Sequence, residues 1–231
     1  MTNYILSLDP GVSNGLALIS YEADSAPQLV KGWQFTGGVN ALVNWANAHW
    51  DGDGWDTYND APNIRGFYSW KMGVSGPLYV DSRAEYVVDG DDYKEVTSPA
   101  NTTVICEKFT ARSTKGFSYT TAALEPLRGE GAVIALGMMP DYSPKEKRWR
   151  DPGLQYLVGG KDLSAKKTRQ HAFLKDSGFY LTNKDFPDSP AKDGADDFRS
   201  ACSHGLAYLA REVKHKPTFE MIRNWTERNP A

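Results

Sequence analysis

Four carboxylates stand where an acidic side chain is costly unless it is solvated, hydrogen-bonded or metal-bound. Asp9 closes the apolar run "YILSLD", and Glu107 interrupts the β-prone run "TTVICEKF". Asp193 and Asp196 lie three residues apart in "DGADDFRSACSHGLAYL", a spacing that puts both on one face of a helix starting there. Each of the outer three has an ordinary explanation by itself: Asp-Pro-Gly is a good turn, and acids at a helix start complement its dipole. Glu107, inside "VICEKF", would face a core or a site. If the four converge, their like charges persist only with cations present, and an all-oxygen donor set favours Mg²⁺ or Mn²⁺ over zinc. Two such ions roughly 3.5–4 Å apart can clamp a phosphodiester, one helping to deprotonate the attacking water and the other stabilising the leaving 3′ oxygen.

The elements that must carry these residues follow from the hydrophobic period. Residues 3–9 and 14–21 read as strands joined by the turn "PGVSN", and 28–36 continues a three-strand antiparallel meander. Val39, Leu42, Val43, Ala46 and Trp50 recur at helical spacing after a glycine break. A strand is expected at 102–109, followed by a helix in "FSYTTAALEPLRGEGAVIALG", whose Gly129, Gly131 and Ala132 permit close approach of another element. Next come "LQYLV" as a short strand and "LSAKKTRQHAFLKDSG" as a helix with Ser164 as N-cap and Gly178 just past its end. The helix "ADDFRSACSHGLAYLAREVK" and a tail carrying a short amphipathic turn complete the chain. This order predicts an α/β fold: an antiparallel three-strand meander followed by parallel strands, flanked by helices. Residues 1–213 form a single domain in this reading, with an acidic, aromatic insertion at about 50–100, and residues 214–231 are the tail.

At 231 residues, 40% hydrophobic and 24% charged, the chain has the composition of a globular domain with one sizeable core. No apolar run approaches the roughly 20 residues that span a bilayer, and no signal-type leader is seen, so a cytoplasmic protein without a membrane partner is expected. Cys106 and Cys202 lack metal-site or redox spacing and read as core residues. The net charge of −3 hides an asymmetry. Residues 51–100 hold ten Asp/Glu and four Lys/Arg, whereas residues 143–175 hold nine Lys/Arg and three Asp/Glu. One face could therefore meet phosphates although the molecule is acidic. Candidates for that contact are Lys166, Lys167 and Arg169 on the basic helix, preceded by Lys145, Lys147, Arg148 and Arg150. Lys108, Arg112 and Lys115, after the Glu107 strand, are further candidates for phosphate contact. Asp197 projects about 100° around the helix from Asp196 and reads as supporting or exposed, and His204 as a packing residue.

"LDPG", "ICEKF" and "DGADDFRSACSHGLAYL", in that order, resemble the motifs of the RuvC-type Holliday junction resolvases of the ribonuclease H-like superfamily. The resemblance extends to "LEPLRGEGAVIALG", similar to the small-residue helix that helps pair subunits in that family. It implies a ribonuclease H-like sheet and a metal-dependent endodeoxyribonuclease that leaves 5′-phosphate and 3′-hydroxyl ends. Asp9 would bridge two Mg²⁺ or Mn²⁺ ions, Glu107 would bind one and help position the attacking water, and Asp193 with Asp196 would complete the ligand set. The family's base-opening aromatic has Phe109 and Phe117 as counterparts here. The long insertion and acidic balance imply a divergent branch, phage or viral, acting in the host cytoplasm on four-way junctions, flaps or forks. A homodimer is expected, because paired cuts on a symmetric junction need two sites about a two-fold axis. Two other functions compete: a branched-DNA-binding protein without catalysis, and a small kinase of the actin-like type, whose first strand also ends in Asp-x-Gly.

Overall fold

The computed structural model describes residues 2–49, 102–106, 121–135, 153–186 and 195–230. Its framework is a four-stranded mixed sheet in the order β3-β2-β1-β4, comprising β1 (Asn3–Asp9), β2 (Ser13–Glu22), β3 (Ser25–Thr36) and β4 (Thr102–Cys106). The β1–β2 and β2–β3 pairs are antiparallel, and β1–β4 is parallel. The meander therefore forms as expected from its two apolar runs, the turn between them and the alternation of the third strand. β3 begins three residues earlier than expected and carries register shifts where it pairs with β2.

Strand pleating divides the side chains between two cores. Leu6 and Leu8 face Leu42, Trp45 and Ala46 of α1 (Gly38–His49) and Val133 of α2 (Thr121–Ala135). Ile5, Ala17, Ile19 and Ile105 face the opposite layer, made of α3 (Gly153–Val158), α4 (Leu163–Asp176), α5 (Asp196–Arg211) and α6 (Lys216–Arg228). The result is a sheet with helices on both faces. Cys106 and Cys202 are both buried, as read from the sequence, and so is His204. Among the described residues no helix is long and apolar enough to cross a membrane.

Three sequence expectations are corrected. "LQYLV" is not a strand but most of α3, whose buried Leu154 and Val158 lie four apart on the face that meets the core. A five-residue apolar run is ambiguous between the two periods, and the surrounding helices decide it. The N-cap of α4 is Asp162, not Ser164: its side chain accepts from Ala165 N–H at 2.8 Å, while Gly178 at φ +83° does lie just beyond the helix end. Residues 216–228 form a full helix rather than a short turn, because Ile222 and Trp225 reach the core and His215 fastens the helix start. The Glu22 carbonyl can only accept, so His215 Nε2–H donates to it at 2.6 Å, and Nδ1 lies 2.7 Å from Thr218 Oγ1. The aromatic insertion at about 50–100 lies outside the described residues.

Candidate functional site at the end of the sheet

Asp9, Gly15 and Gln34 form one cross-strand row: Asp9 pairs with Gly15, and Gly15 with Gln34. All three lie on the α5 face. Ser7, two residues before Asp9, is close to the α5 residue Gly205, and pleating returns Asp9 to the same side. A Cβ on Gly15 would lie 2.0 Å from the Asp197 carbonyl carbon, so the start of α5 sits directly on the α-carbon of Gly15. Glycine is required at this position by close approach.

Gln34 completes the junction with both ends of its amide. Its Oε1 accepts from Phe198 N–H at 2.7 Å, and its Nε2 donates to Asp197 Oδ2 at 2.7 Å. The helix needs this partner, because Ala195 at the N-cap offers no side-chain acceptor for the orphan amides of the first turn. Phe198 also lies against Gly32, where a Cβ would approach its ring to 2.2 Å. The row thus pins α5 to the end of the sheet at which Asp9 sits, with one strand spacing of roughly 5 Å between the Asp9 and Gly15 backbones. Asp9 and Asp196, from opposite ends of the chain, share that end and that face.

Asp196 is the first residue of α5 and is held by the guanidinium of Arg199, one turn on. Arg199 is almost buried, donates to the Leu181 carbonyl at 3.3 Å and lies 4.7 Å from the centre of the Tyr180 ring. His171 packs edge-on to Tyr180 at 6.1 Å. Burial lowers the His171 pKa below its ordinary 6.5; the Arg199 and Lys167 charges push the same way, and Asp196 opposes them. Asp197 is therefore a hydrogen-bonded residue of the junction, one of the two outcomes its helical position allowed. Gln34, Arg199 and His171 were missed. A polar residue at an inward position of "GWQFT" was the available signal for Gln34; nothing local marked the other two.

The turn after Asp9 is tied down as firmly. Asn14, fully buried, donates from Nδ2 to the Gly38 carbonyl at 2.9 Å, and its Oδ1 lies 3.4 Å from Gly11 N. Gly37 and Gly38 N–H both donate to the Val12 carbonyl. Gly129 of α2 lets the helix approach Pro10, where a Cβ would come within 2.6 Å; Gly131 is exposed, and among the described residues nothing lies within 4 Å of where its Cβ would be.

On the opposite side of the sheet row, β4 is described to Cys106, which pairs with Leu8. Glu107 follows, and with Asp193 it lies outside the described residues, as do Lys108, Phe109, Arg112, Lys115 and Phe117. Among the described residues no group of three or more His, Cys, Asp or Glu could hold a metal ion. The donors that are described, Asp9 and Asp196, are carboxylates, whose oxygens suit hard divalent cations.

The cations of α4 have separate surroundings. Arg169 donates to the carbonyls of Val158 at 2.9 Å, Asn229 at 2.6 Å and Pro230 at 3.2 Å, and its guanidinium lies 5.2 Å from the Trp225 ring centre. It joins the C-terminal ends of α3 and α6, which takes three of its five N–H donors. Lys166 lies over the Tyr156 ring, and Lys167 is exposed. Comparison with protein-family models, curated proteins and solved structures finds no match for this chain.

Proposed function

We propose that the chain is a divalent-metal-dependent endonuclease of branched DNA, built on a ribonuclease H-like sheet. The observation that supports this reading is the Asp9–Gly15–Gln34 row closed by the start of α5, so that the helix opening with Asp196 and Asp197 packs on the sheet end where β1 stops at Asp9. Asp9, Glu107, Asp193 and Asp196 would hold Mg²⁺ or Mn²⁺. Sharing the face of Asp9 requires Glu107 to follow the two-residue repeat of β4, in which Ile105 belongs to the α5 core. When bound, divalent ions supply a water of lowered pKa and neutralise charge on the phosphodiester.

The protein's own groups do the positioning. Arg199 fixes the Asp196 carboxylate, Gln34 and Gly15 fix the helix that bears it, and Lys167 offers an exposed ammonium to a phosphate. In the hydrolysis the water oxygen bonds to phosphorus and the P–O3′ bond breaks. The water's proton ends on the departing 3′ oxygen, leaving 5′-phosphate and 3′-hydroxyl termini. Branched substrates with two-fold symmetry fit a homodimer of this chain.

The test is cleavage of labelled four-way junction, flap, fork and plain duplex DNA in Mg²⁺ or Mn²⁺. Branched DNA should be cut faster than duplex, and Asp9→Asn or Glu107→Gln should lower cleavage about 100-fold or more, the scale of losing a preorganised charged group at a reacting centre. Full activity in either variant would remove the carboxylate site. Equal cutting of all four substrates would remove the structure selectivity.

A further inference from the structure

The basic helix presents a second surface that the carboxylate site does not use. Tyr156 on α3 is 58% exposed, although its helix is anchored by the buried Leu154 and Val158. Lys166 Nζ sits 4.4 Å from the ring centroid. One turn earlier on α4, Leu163 is 69% exposed, whereas Phe173 and Leu174 of the same helix are buried in the core. Leu163 then lines an open cleft of about 640 Å³ with Ser164, Lys167, Thr168 and His171. These residues recur at i, i+1, i+4, i+5 and i+8, so they form one continuous strip along the helix. From Leu163 to His171 the strip covers roughly 12 Å at 1.5 Å per residue.

The two ends of the strip differ in chemistry. At one end are an aromatic ring, an ammonium beside it and an exposed aliphatic side chain. At the other, His171 lies within electrostatic reach of Lys167 on its own helix and of Arg199 and Asp196 on α5, with the Tyr180 ring against it. Between them stand Ser164 and Lys167, which can donate to phosphate oxygens, and Thr168, whose hydroxyl donates to the Ser164 carbonyl at 3.0 Å. The strip therefore leads from a stacking surface to the first turn of α5, where the candidate site begins.

We propose that this face of α3 and α4 binds the unpaired strand of a branched DNA. A base stacks on the face of Tyr156 that Lys166 does not cover, and the adjoining phosphates follow Lys167 and Ser164 toward the start of α5. The inference rests on the nuclease reading and names the part of the substrate that its site receives. Unpaired DNA fits better than duplex because the π-faces of a duplex are sealed within its stack, leaving Tyr156 and Leu163 without a partner. An apolar protein surface fits less well, because it would strip water from Lys166 and Lys167 without offering them an anion.

The experiment is fluorescence anisotropy of the full chain, in EDTA to prevent cutting, with a labelled mixed-sequence single strand of about 20 nucleotides and the matching blunt duplex. Tyr156→Ala should weaken single-strand binding roughly 5- to 150-fold, the range for loss of one stacked base, with duplex affinity changed less than about twofold. Tyr156→Trp should restore single-strand binding. Lys167→Ala should reduce the slope of log affinity against log salt by about 0.7, one phosphate contact on a single strand. Thermal unfolding of each variant checks that the fold is intact. Wild-type single-strand affinity in Tyr156→Ala, or an equal loss on both DNAs, overturns the strip; so does failure of the chain to bind single strands. Cleavage assays with Asp9→Asn separate the two ideas. A chain that binds single strands through Tyr156 yet never cuts keeps the strip and loses the nuclease. A chain whose cutting needs Asp9 but ignores Tyr156 does the reverse.

Discussion

Helices α1 and α5 begin with the same deficiency and cure it with opposite chemistry. The first turn of α1 contains no acid, and its Val39 N–H is taken by a carboxylate from another helix, Glu125 Oε1 at 2.7 Å. Glu125 is buried and its second oxygen is held by Arg128 at 2.7 Å, so the charge is consumed within the fold. At α5 the borrowed cap is the neutral amide of Gln34, and the helix's own Asp196 and Asp197 supply the negative charge that its dipole favours. A neutral cap satisfies the backbone, while Asp197 accepts from the same Gln34 amide and Asp196 pairs with Arg199. The first turn of α1 carries no acid of its own, whereas that of α5 carries two.

The sharpest way to break this contrast is at the two glycines. Gly15→Ala would drive a Cβ to 2.0 Å from backbone of α5, which has no free rotor to yield, so a loss of about 3 kcal/mol or more is expected by urea unfolding. The counterpart Gly38→Ala meets only the end of the Glu125 side chain, although φ is +62°, and should cost about 1–2 kcal/mol. Equal costs at the two positions would mean that α5 is free to shift.

Next is the charged cap. Glu125→Ala leaves the Val39 amide unpaired and removes the Arg128 partner, a loss of about 2–3 kcal/mol. Cleavage of branched DNA per folded molecule should be unchanged, because this end contributes no acid to the candidate site. Gln34→Ala should cost less, about 1–2 kcal/mol in chemical denaturation, the scale of a lost N-cap. Its effect on cleavage should nevertheless exceed that of Glu125→Ala. Gln34→Glu should not rescue it, because a carboxylate there cannot donate to Asp197 and repels it. If both Gln34 variants cut DNA at the wild-type rate, the amide is a cap alone.

The smallest effect concerns His171, whose folded pKa is lowered first by burial and then by Arg199, against the pull of Asp196. The unfolded chain binds this proton more readily, so the stability linked to neutral His171 is complete above 6.5. It is lost as pH falls from 6.5 toward the folded value. His171→Gln should flatten unfolding midpoints measured across that window. Unchanged pH dependence in His171→Gln would show that the ring titrates alike in both states.

Legibility along the chain tracked the range of the forces involved. β1 and β2 were readable as short apolar runs bounded by a turn, and α1 because its apolar residues recur at helical spacing. The C-terminal helix was underestimated: its burial depends on Trp225 meeting Phe173 and on His215 reaching back to Glu22, contacts that local pattern does not display. α3 was misassigned for the same reason, since six residues carry too little period to outweigh their surroundings. Arg169 looked like its neighbours Lys166 and Lys167 in sequence. Only the convergence of the ends of α3 and α6 gave it three carbonyls to hold.

By itself the sequence determined that the first strand of an antiparallel meander would end in Asp9 and that a helix rich in small residues would start at the acids near 196. Those features arise from steric and hydrophobic preferences spanning a few residues. The tertiary structure decided that the two meet. It did so through Gly15, which leaves room for a helix backbone, and Gln34, which bonds to that helix from a neighbouring strand. Neither role can be read from local pattern, because each depends on packing between elements remote in the chain.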